Sequence, residues 1–122
     1  MSISDYGELA ILNAVGNNTS FAVATPYIKL YVGDPGENGL NNAAVETTRK
    51  LVSFAAAASG AIASDADITW TNVAGTEDYT YFAIWDNVSA GNCIWIGTVT
   101  ANSVTAGDSF TIASGNLTLT LS

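Results

Sequence analysis

Closely spaced oxygen ligands occur at two places in the sequence, and each group could bind a cation or carry acid–base chemistry. Asp65 and Asp67 stand two residues apart, so a strand would place both carboxylates on one face, as a Ca²⁺ site or an acid–base pair needs. Asp34, Glu37 and Asn38 stand together in a turn, but their spacing does not match an EF-hand loop. We interpret both groups as solvated loops and predict no metal site.

The sequence lacks the usual base of a nucleophilic active site. Cys93 is the single cysteine, and the chain has no histidine to activate a thiol or a serine hydroxyl. Lys29 and Lys50 are the remaining candidate bases, and no glycine-rich run has the pattern of a phosphate-binding loop. We therefore predict a protein without enzymatic activity, catalytic residues or cofactor. Cys93 is expected to be a small packing residue.

Large aromatic residues are the remaining candidates for a binding surface. They could stack on sugars, or they could form the core or a subunit interface of a small domain; they are Trp70, Tyr79, Tyr81, Trp85 and Trp95. Strand alternation places Tyr79, Tyr81 and Trp85 on one face, and Phe82 and Ile84 on the other. One face is therefore predicted to be core, and the other a contact surface. The adjacent Arg49 and Lys50 could pair with an acidic neighbouring chain.

Composition excludes several functions. The 122 residues include 11 Asp and Glu against 3 Lys and Arg, for a net charge of -8, so clustered cations for binding nucleic acid are missing. Charged residues make up 11% and hydrophobic residues 48% of the chain. No apolar run reaches the ~18 residues of a membrane span. The N-terminus lacks the basic start of a signal peptide, so we expect synthesis in the cytoplasm.

One short helix is predicted near the N-terminus, at residues 5–15. Asp5 can cap it, and Glu8 three residues later would complete a capping box. Leu9, Leu12 and Tyr6 fall on one face at helical spacing, and Gly16 stands where a C-cap belongs. The helix is expected to pack on an edge or end of the remaining structure.

The rest of the chain predicts short strands separated by turns. Strands are expected at residues 27–32, 45–54, 68–71, 79–86, 93–98, 110–113 and 117–121, with residues 79–98 forming a hairpin. The alanine-rich residues 54–63 are interpreted as strand or irregular. This pattern predicts an all-β protein, an antiparallel β-sandwich of the jelly-roll or immunoglobulin-like type, with one short N-terminal helix. Residues 1–122 are expected to form a single domain.

An ordered series of short motifs resembles a known family. The motifs are LYVGDPGENG at 30–39, ETTRKLVSF at 46–54, ITW at 68–70, YFAIWD at 81–86, AGDSF at 106–110 and GNLTL at 115–119. They cover most of the chain and look like those of small virion proteins of tailed bacteriophages, often described as tail fibre proteins. The resemblance implies a structural role in the virion without catalysis.

Compactness favours one position on the particle. A fibre shaft needs repeats or a coiled coil, and this sequence shows neither. We therefore predict a capsid decoration (cement) protein that stabilises the head shell as a trimer or dimer bound to the major capsid protein. A tail fibre or baseplate component is the alternative, and so is a carbohydrate-binding module that contacts a host glycan through Trp70, Trp85 or Trp95.

Overall fold

The computed structural model describes residues 2–121 and, within that range, all side chains except those of residues 101 and 102. One helix and nine strands follow one another along the chain: β1 (Ser2–Ile3), α1 (Asp5–Gly16), β2 (Tyr27–Tyr31), β3 (Lys50–Leu51), β4 (Ala61–Ala63), β5 (Ile68–Trp70), β6 (Glu77–Trp85), β7 (Cys93–Val104), β8 (Phe110–Ile112) and β9 (Thr118–Thr120). The predicted helix and the 79–98 hairpin are present. Residues 45–54 are mostly irregular, with β3 as their one short strand.

The strands form one larger sheet and two ribbons. The sheet has the order β1-β7-β6-β2-β3, while β4 pairs with β9 and β5 pairs with β8. Every pairing is antiparallel. The molecule is thus an antiparallel β-sandwich with a short N-terminal helix, as the alternation of apolar residues and turns predicts. The described helix is too short to cross a membrane.

The main core lies between one face of the large sheet and the two ribbons. It consists of buried side chains from the sheet, from β5 and β8, and from the connecting loops: Ile28, Leu30, Ala44, Val52, Ile68, Trp70, Val73, Tyr79, Phe82, Ile84, Trp95, Val104, Phe110, Ile112 and Leu117. Phe110 joins the two layers because its ring contacts both Trp70, at 5.8 Å between centroids, and Tyr79, at 5.0 Å. Edge-on and tilted ring pairs of this kind are favourable.

A second apolar cluster covers the opposite face of the same sheet. It contains Tyr31, Ala83, Trp85, Cys93 and Ile96, all buried, with Tyr81 packed against it. Consecutive residues of β6 therefore point to two different cores. Because both faces of its central strands are covered, the sheet contains long runs of buried residues instead of a buried–exposed alternation.

Register shifts interrupt the pairing of the β6–β7 hairpin, and the first of them changes which side chains share a face. The pairing slips between Tyr79 and Tyr81 and again between Ile84 and Trp85. Tyr79 consequently joins the main core, whereas Tyr81 and Trp85 lie on the second cluster. The prediction that these three residues share one face was wrong for Tyr79, because simple alternation does not account for a bulge in the strand pairing.

The N-cap of the helix lies one residue before the predicted cap, Asp5. Ser4 is the N-cap: its hydroxyl accepts a hydrogen bond from the backbone N–H of Gly7 at 3.0 Å and donates to the carbonyl of Cys93. Ser4 is fully buried, so it ties the helix to β7 as well as capping it. Asp5 therefore occupies the first helical position. Its carboxylate and that of Glu8 lie near the positive end of the helix dipole.

Glycine, not leucine, forms the contact between α1 and the sheet. A Cβ on Gly7 would lie 2.7 Å from the carbonyl oxygen of Ile94 and 2.6 Å from Cγ1 of Ile3. The helix thus approaches β7 closer than any side chain would permit. The face predicted from Tyr6, Leu9 and Leu12 is not the packed one: these residues are 44%, 64% and 65% exposed.

We expect Gly7→Ala to destabilise the protein, although alanine is the better helix former. The new methyl group must displace the backbone of β7 or the helix, which costs about 1–3 kcal/mol, and this outweighs a propensity gain of about 1 kcal/mol. Gly16→Ala is the matched control, since a Cβ there meets nothing within 4 Å. Urea unfolding of both variants tests this. A Gly7→Ala protein as stable as Gly16→Ala would contradict the close helix–strand contact.

Candidate functional site

Three of the five candidate aromatic residues lie inside the main core. Trp70, Tyr79 and Trp95 are 1%, 0% and 6% exposed. The indole N–H of Trp70 donates to the carbonyl of Thr48 at 2.8 Å, which anchors the chain just before Arg49. In this structure their rings are packed between the layers, so they present no stacking surface to a sugar or a neighbouring chain.

The other candidates meet on the second face, where Arg49 covers Trp85. The guanidinium carbon lies 4.1 Å from the centre of the Trp85 ring, a cation–π geometry. The same guanidinium donates hydrogen bonds to the carbonyls of Asn87, at 2.9 Å, and Ala90, at 2.6 Å. Arg49 therefore binds the hairpin loop of residues 86–92. We call the group Arg49, Trp85 and these two carbonyls the arginine latch.

Tyr31 continues the latch into the protein. The indole N–H of Trp85 donates to the Tyr31 hydroxyl at 3.1 Å, and that hydroxyl donates to the carbonyl of Gly39 at 2.8 Å. The chain of contacts thus runs from one surface loop through two buried rings to a second loop. Gly39 has a φ of 74° and lies so near that a Cβ would be 2.8 Å from the Trp85 ring. Only glycine fits there.

Hydrogen bonds within the hairpin loop also stabilise it. The carboxylate of Asp86 accepts hydrogen bonds from the backbone N–H of Asn92, at 2.7 Å, and from its side-chain amide, at 3.0 Å. Ala90 and Gly91 both have positive φ values, which lets the seven-residue connection close. The loop that carries the two carbonyls bound by Arg49 is therefore also held by Asp86.

Lys50 and Tyr81, the last two candidates, lie beside the latch without belonging to it. Lys50 is half-buried on the short strand β3, opposite Ile28 of β2. Tyr81 is half-buried against the second cluster. The structure thus brings Arg49, Trp85 and Tyr81 to one face and separates them from Trp70, Tyr79 and Trp95. Whether these residues contact a partner stays a prediction.

Burial keeps the reactive groups near the latch in their neutral forms. It raises the pKa of the Cys93 thiol to about 11 and that of the Tyr31 phenol to about 12. A thiolate nucleophile is therefore not formed near neutral pH. Cys93 is 4% exposed and packs in the second cluster. The latch can hold loops together, and its groups are not activated for catalysis.

Glu46 and Glu77 are structural residues that the sequence analysis did not find. Glu77 accepts hydrogen bonds from the backbone N–H groups of Val45, at 3.0 Å, and Glu46, at 3.1 Å. Glu46, 7% exposed, accepts in turn from Thr48 and Ala74, at 3.2 and 3.1 Å. The two carboxylates connect the 44–49 segment to the start of β6. A single glutamate in a loop or at the start of a strand gives no sequence signal for this arrangement.

Two of the acidic residues considered as metal ligands accept hydrogen bonds from backbone N–H groups. Asp34 accepts a hydrogen bond from the N–H of Gly36 at 2.9 Å, and Asp67 from that of Ser114 at 2.8 Å. Asp65 is exposed. Within residues 2–121, no group of three or more His, Cys, Asp or Glu side chains could hold a metal ion.

Two surface depressions lie beside these elements. A cleft of about 370 Å³ borders the latch and is lined by Asp5, Tyr6, Glu37, Leu40, Trp85 and Asn92, among others. A polar groove of about 470 Å³ separates β7 from β8, with Thr98, Thr100, Thr111 and Asn116 on its walls. Both are open to solvent and neither contains an activated nucleophile.

The polar side chains described above fix the loops of an antiparallel β-sandwich. The chain belongs to the family Gp80, described as podophage GP4 fiber I protein gp80, whose model matches residues 2–120. No curated protein matches the chain. The protein is therefore a structural component of a tailed bacteriophage, as the resemblance of its motifs implies.

Two buried tyrosines should respond differently to loss of the hydroxyl. The Tyr79 hydroxyl is buried without a hydrogen-bond partner among the described residues, whereas that of Tyr31 has two. We expect Tyr79→Phe to leave the free energy of unfolding unchanged or raise it by about 1 kcal/mol, and Tyr31→Phe to lower it by about 1–3 kcal/mol. Urea unfolding at pH 7 measures both; equal losses would contradict the assignment.

Alkaline pH should weaken the fold through the same two tyrosines. Burial is the main cause that raises the pKa of Tyr31 and of Tyr79 from 10.0 to about 12. The neutral phenols are thus favoured in the folded state, and their stabilisation is complete below pH 10.0 and lost as the pH rises towards 12. Tyr79→Phe should reduce this alkaline loss. An unchanged slope of stability against pH in that variant would argue against a buried Tyr79.

Arg49→Met should loosen the hairpin loop. The change removes two charge-assisted hydrogen bonds to backbone carbonyls and the cover on Trp85, so we expect a loss of about 1–3 kcal/mol and faster hydrogen exchange in residues 86–92. Lys50→Met is the matched control, with an expected effect of about 0.5 kcal/mol or less. If the two variants behave alike, the arginine latch does not hold the loop.

Proposed function

We propose that this protein is a subunit of a tail fibre, where it serves as a small rigid module that joins other virion proteins. The observation that carries the proposal is membership, over nearly the whole chain, of a family described as a podophage fibre protein. The fold is compatible with that role, because both faces of its sheet are covered and its loops are fastened. A rigid module holds the proteins bound to it at fixed positions relative to each other.

Compactness, which favoured capsid decoration in the sequence analysis, also suits a fibre. A single small sandwich cannot build a long shaft, but it can form the base, a joint or the tip of a fibre whose shaft other chains supply. The family description names a fibre, and this is why we place the tail fibre before the capsid cement role. The cement role stays a prediction, as does attachment to the major capsid protein.

Chemistry at the candidate site supports a role without catalysis. The thiol of Cys93 is buried and neutral, and the Trp85 ring is covered by Arg49. Three other aromatic candidates, Trp70, Tyr79 and Trp95, are inside the core, so they are not available as a sugar platform. Glycan binding by this module is therefore the weaker alternative. The predicted dimer or trimer of the chain remains part of the proposal.

Separating heads from tails of the virion tests the proposed position. We expect the protein to copurify with tails, at a copy number that stays in fixed ratio to other tail proteins in quantitative mass spectrometry. Immunogold labelling of intact particles should mark the tail. The control is the major capsid protein, which must follow the heads. Copurification with heads, in a fixed ratio to that capsid protein, would replace the fibre role with capsid decoration.

A further inference from the structure

The outward half of α1 carries an apolar stripe that nothing in the described structure covers. Its members, Tyr6, Leu9, Leu12 and Val15, recur every third residue and are 44%, 64%, 65% and 83% exposed. In a helix this spacing winds over one half of the surface. The inner half packs on β7 through Gly7. A helix that binds in an apolar groove does so through exposed apolar side chains on one side of its surface.

The surroundings of the stripe extend it and give it charge. Leu40, 71% exposed, lies with Tyr6 on the cleft beside the first turn of the helix. A second depression of about 300 Å³ runs along the helix between Leu9 and Phe21. Three exposed carboxylates belong to the same end: Asp5 and Glu8 in the first turn, and Glu37, whose carbonyl accepts from the N–H of Asp5.

A second copy of the chain offers no complement to this charge. The last turn of α1 contains no basic residue, so an antiparallel helix pair would leave the carboxylates unpaired. A parallel pair would bring like charges together. The chain has three cationic side chains against 11 acidic ones, and one of the three, Arg49, is engaged in the latch.

We propose that α1 docks through Tyr6, Leu9, Leu12 and Val15 into an apolar groove, rimmed by Lys or Arg, on a different protein of the same virion. The apolar stripe supplies the contact area, and Asp5, Glu8 and Glu37 meet the basic rim. This inference rests on the proposed function only in assigning the partner to the virion. The attachment site of the module is thus its helix, at the end of the molecule where these three carboxylates lie.

Incorporation into virions measures the docking directly. A phage lacking the gene is complemented in trans with each variant, and copies per particle are counted by quantitative mass spectrometry against the major capsid protein. Leu9→Gln with Leu12→Gln keeps helix propensity nearly constant and should reduce incorporation at least tenfold. The matched control, Leu51→Gln with Leu121→Gln, alters residues that are 59% and 56% exposed elsewhere and should incorporate normally. Circular dichroism and urea unfolding confirm that each variant is folded.

Charge reversal separates a basic partner from a neutral one. Asp5→Lys with Glu8→Lys should reduce incorporation several-fold, while Asp65→Lys with Asp78→Lys, also exposed, should not. Equal incorporation of the two reversed proteins would overturn the basic rim. Normal incorporation of the Leu9 and Leu12 variant would overturn the docking itself.

Sedimentation equilibrium of the purified protein tests the second-copy alternative. If the wild-type protein associates and the Leu9 and Leu12 variant is monomeric, the stripe joins copies and the inference is wrong. The position of the wild-type protein, in the head or the tail fraction, tests the proposed function separately. The ratio of variant to wild-type incorporation has the same meaning at either position.

Discussion

The fold depends on covering both faces of one antiparallel sheet. The chain is too short to place a complete layer of strands on each face. The ribbons β4–β9 and β5–β8 cover the first face. The second face is covered by irregular chain, whose backbone groups have no strand partners and must be satisfied individually. The contacts that run from Arg49 through Trp85 to Tyr31 meet this requirement. They hold two loops in place, one on each side of a buried pair of aromatic rings. Loop and core therefore stabilise each other.

The same constraint explains why an acidic chain with few cations can be stable. Among the described residues, six carboxylates accept hydrogen bonds from backbone N–H groups: Asp34, Glu46, Asp67, Glu77, Asp86 and Asp108. A carboxylate bonded to amide donors needs no lysine or arginine to be satisfied. Loops rich in Asp, Asn and Gly are thus held by anions at their turns. The negative charge is largely a consequence of how the loops are built.

Sequence patterns predicted the elements of the fold better than they predicted the contacts between them. The helix, the 79–98 hairpin and the antiparallel pairing follow from local periodicity and turn residues. The face of Tyr79 does not, because a register shift depends on how two strands pair. The packed face of α1 was also missed, since hydrophobic periodicity points to leucines whereas close approach selects Gly7. The aromatic candidates were the right residues for a core, but their distribution over two clusters required the topology.

The distribution of the remaining carboxylates links this architecture to assembly. Of the acidic residues without a hydrogen bond to a backbone N–H among those described, Asp5, Glu8 and Glu37 lie at the first turn of α1 or in the loop that contacts it. Acids used for fastening loops are dispersed over the fold, whereas these three share one end with the exposed apolar stripe. The helix is held to the sheet by a buried serine and by a close contact at a glycine. Its exposed apolar side chains therefore do not contribute to that contact. The part of the chain that contributes least to its own core is thus the part best suited to bind a neighbour.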